Sequence, residues 1–169
     1  FGVFCAYLAI LSQVNGLKFE NAIIANKKTR RIYYFISCFF ISTFVSVVAF
    51  FLLIFFFDWL YALLLVLASY FAYMINIFQL YLVRIEKATQ AGNLSILRSV
   101  LLILFQFYFS SFNLFDINGL ILGYFFSVFL LSFPIVIWCV LLVTKVKVML
   151  LGKVIVNNIE FLWHVDKFQ

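Results

Sequence analysis

The first apolar stretch of the chain, residues 1–25, holds the polar side chains best placed for chemistry. Two of them are ionisable, Lys18 and Glu20, and they lie between Asn15 and Asn21. An ionisable group inside a membrane costs about 2.5–3.5 kcal/mol, so it usually faces water or protein. Residues two apart on a helix differ by about 200° around the axis, which puts Lys18 and Glu20 on different faces. Each charge therefore needs its own partner on another segment or in water.

Two interpretations of these charges are open. In the first, Lys18 extends to the inner lipid headgroups and Glu20 lies in the interfacial layer. In the second, the helix presents a polar, partly cationic wall to a cavity. Further along the chain, Asn76 and Gln79 form an i,i+3 pair that either faces the same interior or bonds one helix to another. The candidate substrate-binding residues are Asn15, Lys18, Glu20, Asn21, Asn76 and Gln79.

The composition requires a lipid environment. The 169 residues are 67% hydrophobic, their mean hydropathy is +1.19, and 11% are charged, whereas a soluble domain carries roughly 25% charged residues. Because a transmembrane helix needs about 20 apolar residues, the sequence predicts an all-α, polytopic transmembrane bundle. Its predicted spans are residues 1–25, 32–57, 59–83, 94–112 and 118–144. Residues 145–169 are too polar to span and predict an interfacial amphipathic helix leading to a further span.

The distribution of basic residues predicts the orientation of the spans. If the first span runs from outside to inside, each of the 12 Lys and Arg side chains except Lys18 falls in an inside segment. Arg84 and Arg98 then flank an inside loop as topology anchors, and the outside turns hold Asp58 and Asp116. The positive-inside rule places the basic segments and the C-terminal tail in the cytoplasm. The net charge of +6 therefore faces anionic lipid and does not indicate nucleic-acid binding.

The remaining motifs predict structural roles. Gly119 and Gly123 have the small-xxx-small spacing that lets two helices approach closely. Pro134, in the middle of the fifth span, removes a backbone donor and is expected to kink that helix. His164 is the single histidine and the three cysteines lie far apart in apolar runs, so the sequence offers no catalytic or metal-ligating set. We expect neither enzymatic activity nor a cofactor.

Several segments resemble, in order, those of a known transporter family. They are "FGVFCAYLAILSQVNGLKFENAII", "NKKTRR", "YLVRIEKATQAGNLSILRSVLLILFQ", "NGLILGYFFSVFLL" and "HVDKF". The family is that of the O-antigen and capsule oligosaccharide-lipid flippases, in the superfamily shared with MATE-type multidrug exporters. The resemblance covers nearly the whole chain. It implies the N-terminal lobe, without its first helix, of a two-lobe transporter.

The resemblance also implies a function and a membrane. Members of this family move an undecaprenyl-diphosphate-linked oligosaccharide from the cytoplasmic to the periplasmic leaflet of the bacterial inner membrane by alternating access. Lys18 would then neutralise the diphosphate, and Asn15 and Asn21 would bond sugar or phosphate oxygens. Glu20 would pair with a basic group on another helix or titrate with a coupling ion, H+ or Na+.

Other functions stay open at this point. A multidrug exporter of the same superfamily would have the same spans, and competition by lipophilic cations would identify it. A non-transporting subunit of a respiratory-type membrane complex would also be polytopic, with scattered Lys and Glu. A membrane enzyme such as an oligosaccharide polymerase usually needs a large outside loop, whereas the outside turns at Asp58 and Asp116 are short.

Overall fold

The computed structural model describes residues 1–16, 31–110, 113–114 and 117–145. Within these ranges the chain forms an all-α helical bundle, which confirms the predicted fold class. Its helices are α1 (Gly2–Gly16), α2 (Arg31–Leu53), α3 (Trp59–Arg84), α4 (Ala88–Phe109) and α5 (Gly119–Lys145). Between α4 and α5, the two-residue strands β1 (Asn113–Leu114) and β2 (Ile117–Asn118) pair antiparallel.

Four helices, α2 to α5, are long and apolar enough to cross a membrane. At 1.5 Å per residue, the 22 residues of α4 extend about 33 Å, enough for a hydrocarbon core of about 30 Å. The bounds of α2, α3 and α5 agree within a few residues with the predicted spans, apart from the last four residues predicted for α2. The chain is therefore a polytopic membrane protein. Residues 17–25 of the first predicted span, and the predicted interfacial segment from residue 146 onward, lie outside the described ranges.

The fourth span begins earlier than predicted. Residues 94–112 were the predicted limits, whereas α4 begins at Ala88. A three-residue turn joins it to α3, and in that turn Glu86 has a φ of 67°. The backbone N–H groups of Glu86 and Lys87 donate to carbonyl oxygens in the last turn of α3, at 3.1 and 2.9 Å. This Schellman motif reverses the chain without a long loop, so the polar residues 88–93 form the first turns of a helix.

Helix α3 is the centre of the bundle, since it contacts each of the other four helices. At one end, the ring of Phe4 on α1 lies 5.9 Å from that of Tyr61 at the start of α3. At the other end, Phe35 near the start of α2 packs against Tyr81 of α3 and Trp138 of α5, with ring centroids 5.2 and 5.6 Å apart. Successive helices therefore alternate in direction, as in a chain that crosses a membrane repeatedly.

Large apolar side chains cover the outside of the bundle. Helix α4 is the extreme case, because Ala91 is its single buried residue. Ile96, Ile103 and Phe107 on the same helix are all more than half exposed. Apolar surface of this extent is costly in water and costs nothing comparable against lipid tails. The outer face of α4 is thus suited to lipid.

Two of the residues predicted to shape helix packing lie inside α5. Gly123 faces α4 so closely that a Cβ atom added to it would lie 2.7 Å from the Cα of Gln106 and 2.8 Å from the carbonyl oxygen of Phe105. Gly119 is the first residue of the helix and is buried. The helix continues past Pro134 to its last residue, and the kink expected there stays a prediction.

Candidate functional site

A cavity of about 210 Å³ lies between α1, α3, α4 and α5. Its lining mixes apolar groups with one guanidinium, one amide, two hydroxyls and one thiol. The lining residues are Cys5, Leu8, Ala9, Ser12, Ala72, Asn76, Arg98 and Tyr124. Among the described residues, Arg98 is the only charged group of the lining, and neither Asp58 nor Glu86 belongs to it. The described part of its lining therefore carries a positive charge.

Arg98 lies midway along α4, ten residues beyond its first residue. Its Cα is thus about 15 Å along the axis from that end of the helix. Its Nη1 donates to the Oδ1 of Asn76 on α3 at 3.0 Å, which holds the guanidinium against the bundle. The segment just before Arg98, predicted as part of a loop, is helical from Ala88 onward, and the role of Arg98 as a topology anchor stays a prediction.

Asn76 and Gln79 both bond to α4. The Nε2 of Gln79 donates to the Oγ of Ser95 at 3.0 Å, one turn of α4 before the Arg98 contact. On each of the two antiparallel helices the bonded residues are three positions apart. Both bonds therefore correspond to the same alignment of α3 against α4. We call this pair of bonds the α3–α4 ladder. Of the two predicted candidates on α3, Asn76 lines the cavity, and Gln79 bonds to α4 one turn away from it.

Asn15 lies away from this cavity, where α1, α2 and α3 meet. Its side chain is 1% exposed. Its Nδ2 donates to the Oγ of Ser69 at 3.2 Å, and its Oδ1 accepts from the Oγ of Ser46 at 3.4 Å. Hydrogen bonds of this kind hold helices together in membranes. A substrate contact by Asn15, as predicted from the sequence, would require this three-helix network to open.

A double-mutant cycle tests the Asn15 network. We expect Asn15→Ala and Ser69→Ala to be coupled by about 0.5–1 kcal/mol, because each removes the partner of the other. Unfolding by SDS in mixed micelles would measure the free energies. Ser99→Ala, on the exposed side of α4, is the control and should combine additively with Asn15→Ala. Additive effects in the Ser69 cycle would contradict the bond.

The other predicted cavity residues, Lys18, Glu20 and Asn21, lie outside the described residues. A shared site of these three residues with Asn15, Asn76 or Gln79 therefore stays a prediction. Within residues 1–16, 31–110, 113–114 and 117–145, no group of three His, Cys, Asp or Glu side chains could hold a metal ion.

A second and larger cavity, of about 380 Å³, opens between α2 and α3. Apolar side chains such as Val47, Phe50 and Leu63 form most of its lining, and Thr43 and Tyr70 share a 3.3 Å hydrogen bond at its wall. None of the described residues that line it is charged. An apolar group could fit into this groove, but the groove has few polar groups with which to recognise a ligand.

Arg98 is the site residue that sequence reasoning missed. A signal was present, because Ser95, Arg98, Ser99 and Gln106 share one side of a helix at 100° per residue. Ile96, Ile103 and Phe107 are centred about 100° away around the helix axis. An intramembrane arginine within such a polar stripe marks a functional candidate.

Comparison with family models, with curated proteins and with solved structures finds no match to this chain. The cavity and the helices around it are therefore the basis for any functional conclusion.

Proposed function

We propose that this protein is part of a transporter that moves a lipid-linked oligosaccharide, carried on a polyprenyl diphosphate, across the bacterial inner membrane. The observation that carries the proposal is the cavity between α1, α3, α4 and α5, in which Arg98 is bonded to Asn76. A diphosphate-sugar headgroup cannot cross hydrocarbon unaided. It needs polar groups beside an apolar, lipid-facing surface, and this bundle has both: the accessible bond between Arg98 and Asn76 and the apolar outer face of α4.

Each part of the substrate has a matching surface in this mechanism. The guanidinium of Arg98 offers a fixed positive charge to phosphate, and Lys18 offers a second one on the first span. The amide of Asn76 hydrogen-bonds phosphate or sugar oxygens. The polyprenyl chain stays in the lipid against the apolar outer face of the bundle. Two lobes rocking about such an interior would expose it to each leaflet in turn.

A multidrug exporter of the same superfamily is the competing proposal. Many of its substrates would be lipophilic cations. The charge of the cavity disfavours them, because its described lining holds one guanidinium and no carboxylate. Competition by a lipophilic cation against the lipid-linked sugar separates the two proposals.

Lys18→Ala in the full-length protein tests the function. We expect it to slow flipping of a fluorescent polyprenyl-diphosphate oligosaccharide in liposomes by about 10–100-fold, because a charge-assisted hydrogen bond contributes roughly 1.5–3 kcal/mol. Lys18→Arg should retain most of the transport. Quenching of the label in the outer leaflet gives the rate.

The matched control is Lys28→Ala, which removes the same charge from the basic segment that follows the first span. It should leave the rate within about twofold, since the positive-inside signal is shared by several side chains. Unchanged flipping by Lys18→Ala at normal expression would reject the role of Lys18. Absence of flipping by the wild-type full-length protein would reject the proposed function.

A further inference from the structure

We propose that the turn between α2 and α3, residues 54–58, binds the ammonium group of a zwitterionic phospholipid, and that an acyl chain of the same lipid lies in the neighbouring groove between α2 and α3. Binding of this lipid requires neither transport nor any residue of the Arg98 cavity. It can therefore be tested separately from the flipping of a glycolipid.

A cavity of about 540 Å³ opens at this turn, and we call it the turn cavity. The residues that line it are Ile54, Phe55, Phe56, Phe57, Asp58 and Tyr61. Most of them are aromatic, one is an acid and, among the described residues of the lining, none is basic. Aromatic ring faces and a carboxylate both attract an ammonium group, the first by cation–π attraction and the second by its charge.

The carboxylate of Asp58 is not used by the helix that follows it. Asp58 is the single charged residue in the segment 32–83, and it occupies the N-cap position of α3. An aspartate at that position commonly accepts a hydrogen bond from a backbone N–H of the first helical turn. The Asp58 side chain makes no such bond. Its charge offsets the positive end of α3, and its oxygens stay available to a donor in the turn cavity.

The end of α2 adds further acceptors for an ammonium group. The C-terminal end of a helix carries a partial negative charge and is stabilised by a cation, yet α2 has no basic residue in its last turn. Among the backbone hydrogen bonds of the described residues, none has the carbonyl oxygen of Ile54, Phe55 or Phe56 as its acceptor. The described part of the turn thus offers several acceptors and no cation of its own.

The turn lies where lipid headgroups are found. Both α2 and α3 are long and apolar enough to cross a membrane, so the turn that joins them lies at a membrane surface. Phe55, Phe56 and Trp59 are 82%, 80% and 64% exposed there, and aromatic side chains are typical of the layer between lipid tails and water. The ammonium groups of surrounding zwitterionic lipids are held in the same layer, which favours a lipid headgroup over a soluble amine.

The apolar groove between α2 and α3 leads to the turn cavity. Phe50 and Phe51 of α2 line the groove, and Ile54, which lines the turn cavity, follows them by about one helical turn. The N–H of Ile54 donates to the carbonyl oxygen of Phe50 at 3.1 Å, so Ile54 keeps helical geometry and lies on the same face of α2. A lipid with its ammonium group at Asp58 would thus have the groove beside it for an acyl chain.

Photo-crosslinking in liposomes tests this site. The full-length protein is placed in phosphatidylglycerol liposomes with a trace of phosphatidylethanolamine that carries a diazirine in one acyl chain, or of phosphatidylglycerol that carries the same chain. Peptide mass spectrometry measures labelling of the groove residues on α2 and α3, normalised to labelling of Ile96 and Ile103 on the exposed face of α4. We expect the normalised labelling to be about tenfold higher for the ethanolamine lipid, because only its headgroup offers a charge-assisted hydrogen bond to Asp58.

Two variants test the role of the charge. Asp58→Asn keeps the size of the side chain and removes its charge, and it should reduce the preference for the ethanolamine lipid to less than about twofold. Glu86→Gln removes the same charge from the turn at the opposite end of α3 and should retain the preference. If Asp58→Asn does not fold, the preference of the wild-type protein still decides. Equal labelling of the groove by the two lipids, or a preference that survives Asp58→Asn, would overturn the proposal.

Unlabelled competitors then identify the feature that is recognised. Phosphatidylcholine carries the same positive charge without N–H donors. Competition as strong as that of phosphatidylethanolamine would assign recognition to the charge and the rings, and weaker competition would assign it to hydrogen bonds; either result supports the proposal. Glycerophosphoethanolamine has the headgroup without acyl chains, and competition by it as strong as by the whole lipid would overturn the assignment to a lipid.

Discussion

Gly123→Ala is expected to lower the free energy of unfolding by about 2–3 kcal/mol. The new methyl group would lie 2.7–2.8 Å from backbone atoms of Gln106 and Phe105 on α4. Backbone atoms cannot move aside as a flexible side chain can, so α4 and α5 must separate. Overpacking of this kind costs roughly 1–3 kcal/mol, and here it also loosens the helix pair with the most extensive contact in the bundle. SDS titration in mixed micelles would measure the change.

Gly92→Ala is the matched control, because the same chemical change on α4 meets no atom within 4 Å. Alanine is a better helix former than glycine by roughly 1 kcal/mol, so this variant should be as stable as the wild type or more stable. Equal destabilisation by the two variants would show that Gly123 is not at a close helix contact.

Phe35→Ala is expected to lower the free energy of unfolding by about 2–3 kcal/mol. Phe35 is fully buried, and its ring packs against Phe78, Tyr81 and Trp138 with centroids 5.2–6.2 Å away. The loss is mainly that of packing and of the cavity left behind. It is smaller than in a soluble protein, because the unfolded helix in a membrane also keeps the ring out of water.

Phe44→Ala, on the same helix, is the control for Phe35. Its ring is 71% exposed and faces the surroundings of the bundle, so its removal should change stability by less than about 0.5 kcal/mol. Tryptophan fluorescence would also report on Trp138, one of three tryptophans in the chain, because its ring packs against that of Phe35. A large effect of Phe44→Ala, or none of Phe35→Ala, would contradict the described packing.

The spans were largely predictable because hydropathy reports on the solvent of a helix. Residues 59–83 and 118–144 follow from uninterrupted apolar runs between short turns, and α3 and α5 have almost these bounds. The start of α4 was not predictable in this way. Its first turns are polar, and only the left-handed backbone of Glu86 allows α3 to end and α4 to begin within three residues.

The candidate site was predicted in part. Spacing put Asn76 and Gln79 on one side of a helix, and the structure gives both a partner on α4. The identities of those partners, Ser95 and Arg98, depend on the register of two helices. Register is a property of long-range packing that a single sequence does not reveal. Treating residues 88–93 as a loop also hid the helical turns that precede Arg98.

The α3–α4 ladder has a mechanical consequence. Both of its bonds have the same stagger, so sliding α4 along α3 would strain both at the same moment, and a slide of one helical turn, about 5.4 Å, would break both. Gradual sliding of α4 along α3 is thereby disfavoured, and the next equivalent alignment of the two helices lies a full helical turn away. Any displacement of α4 should consequently carry α3 with it, or proceed by a step of one helical turn.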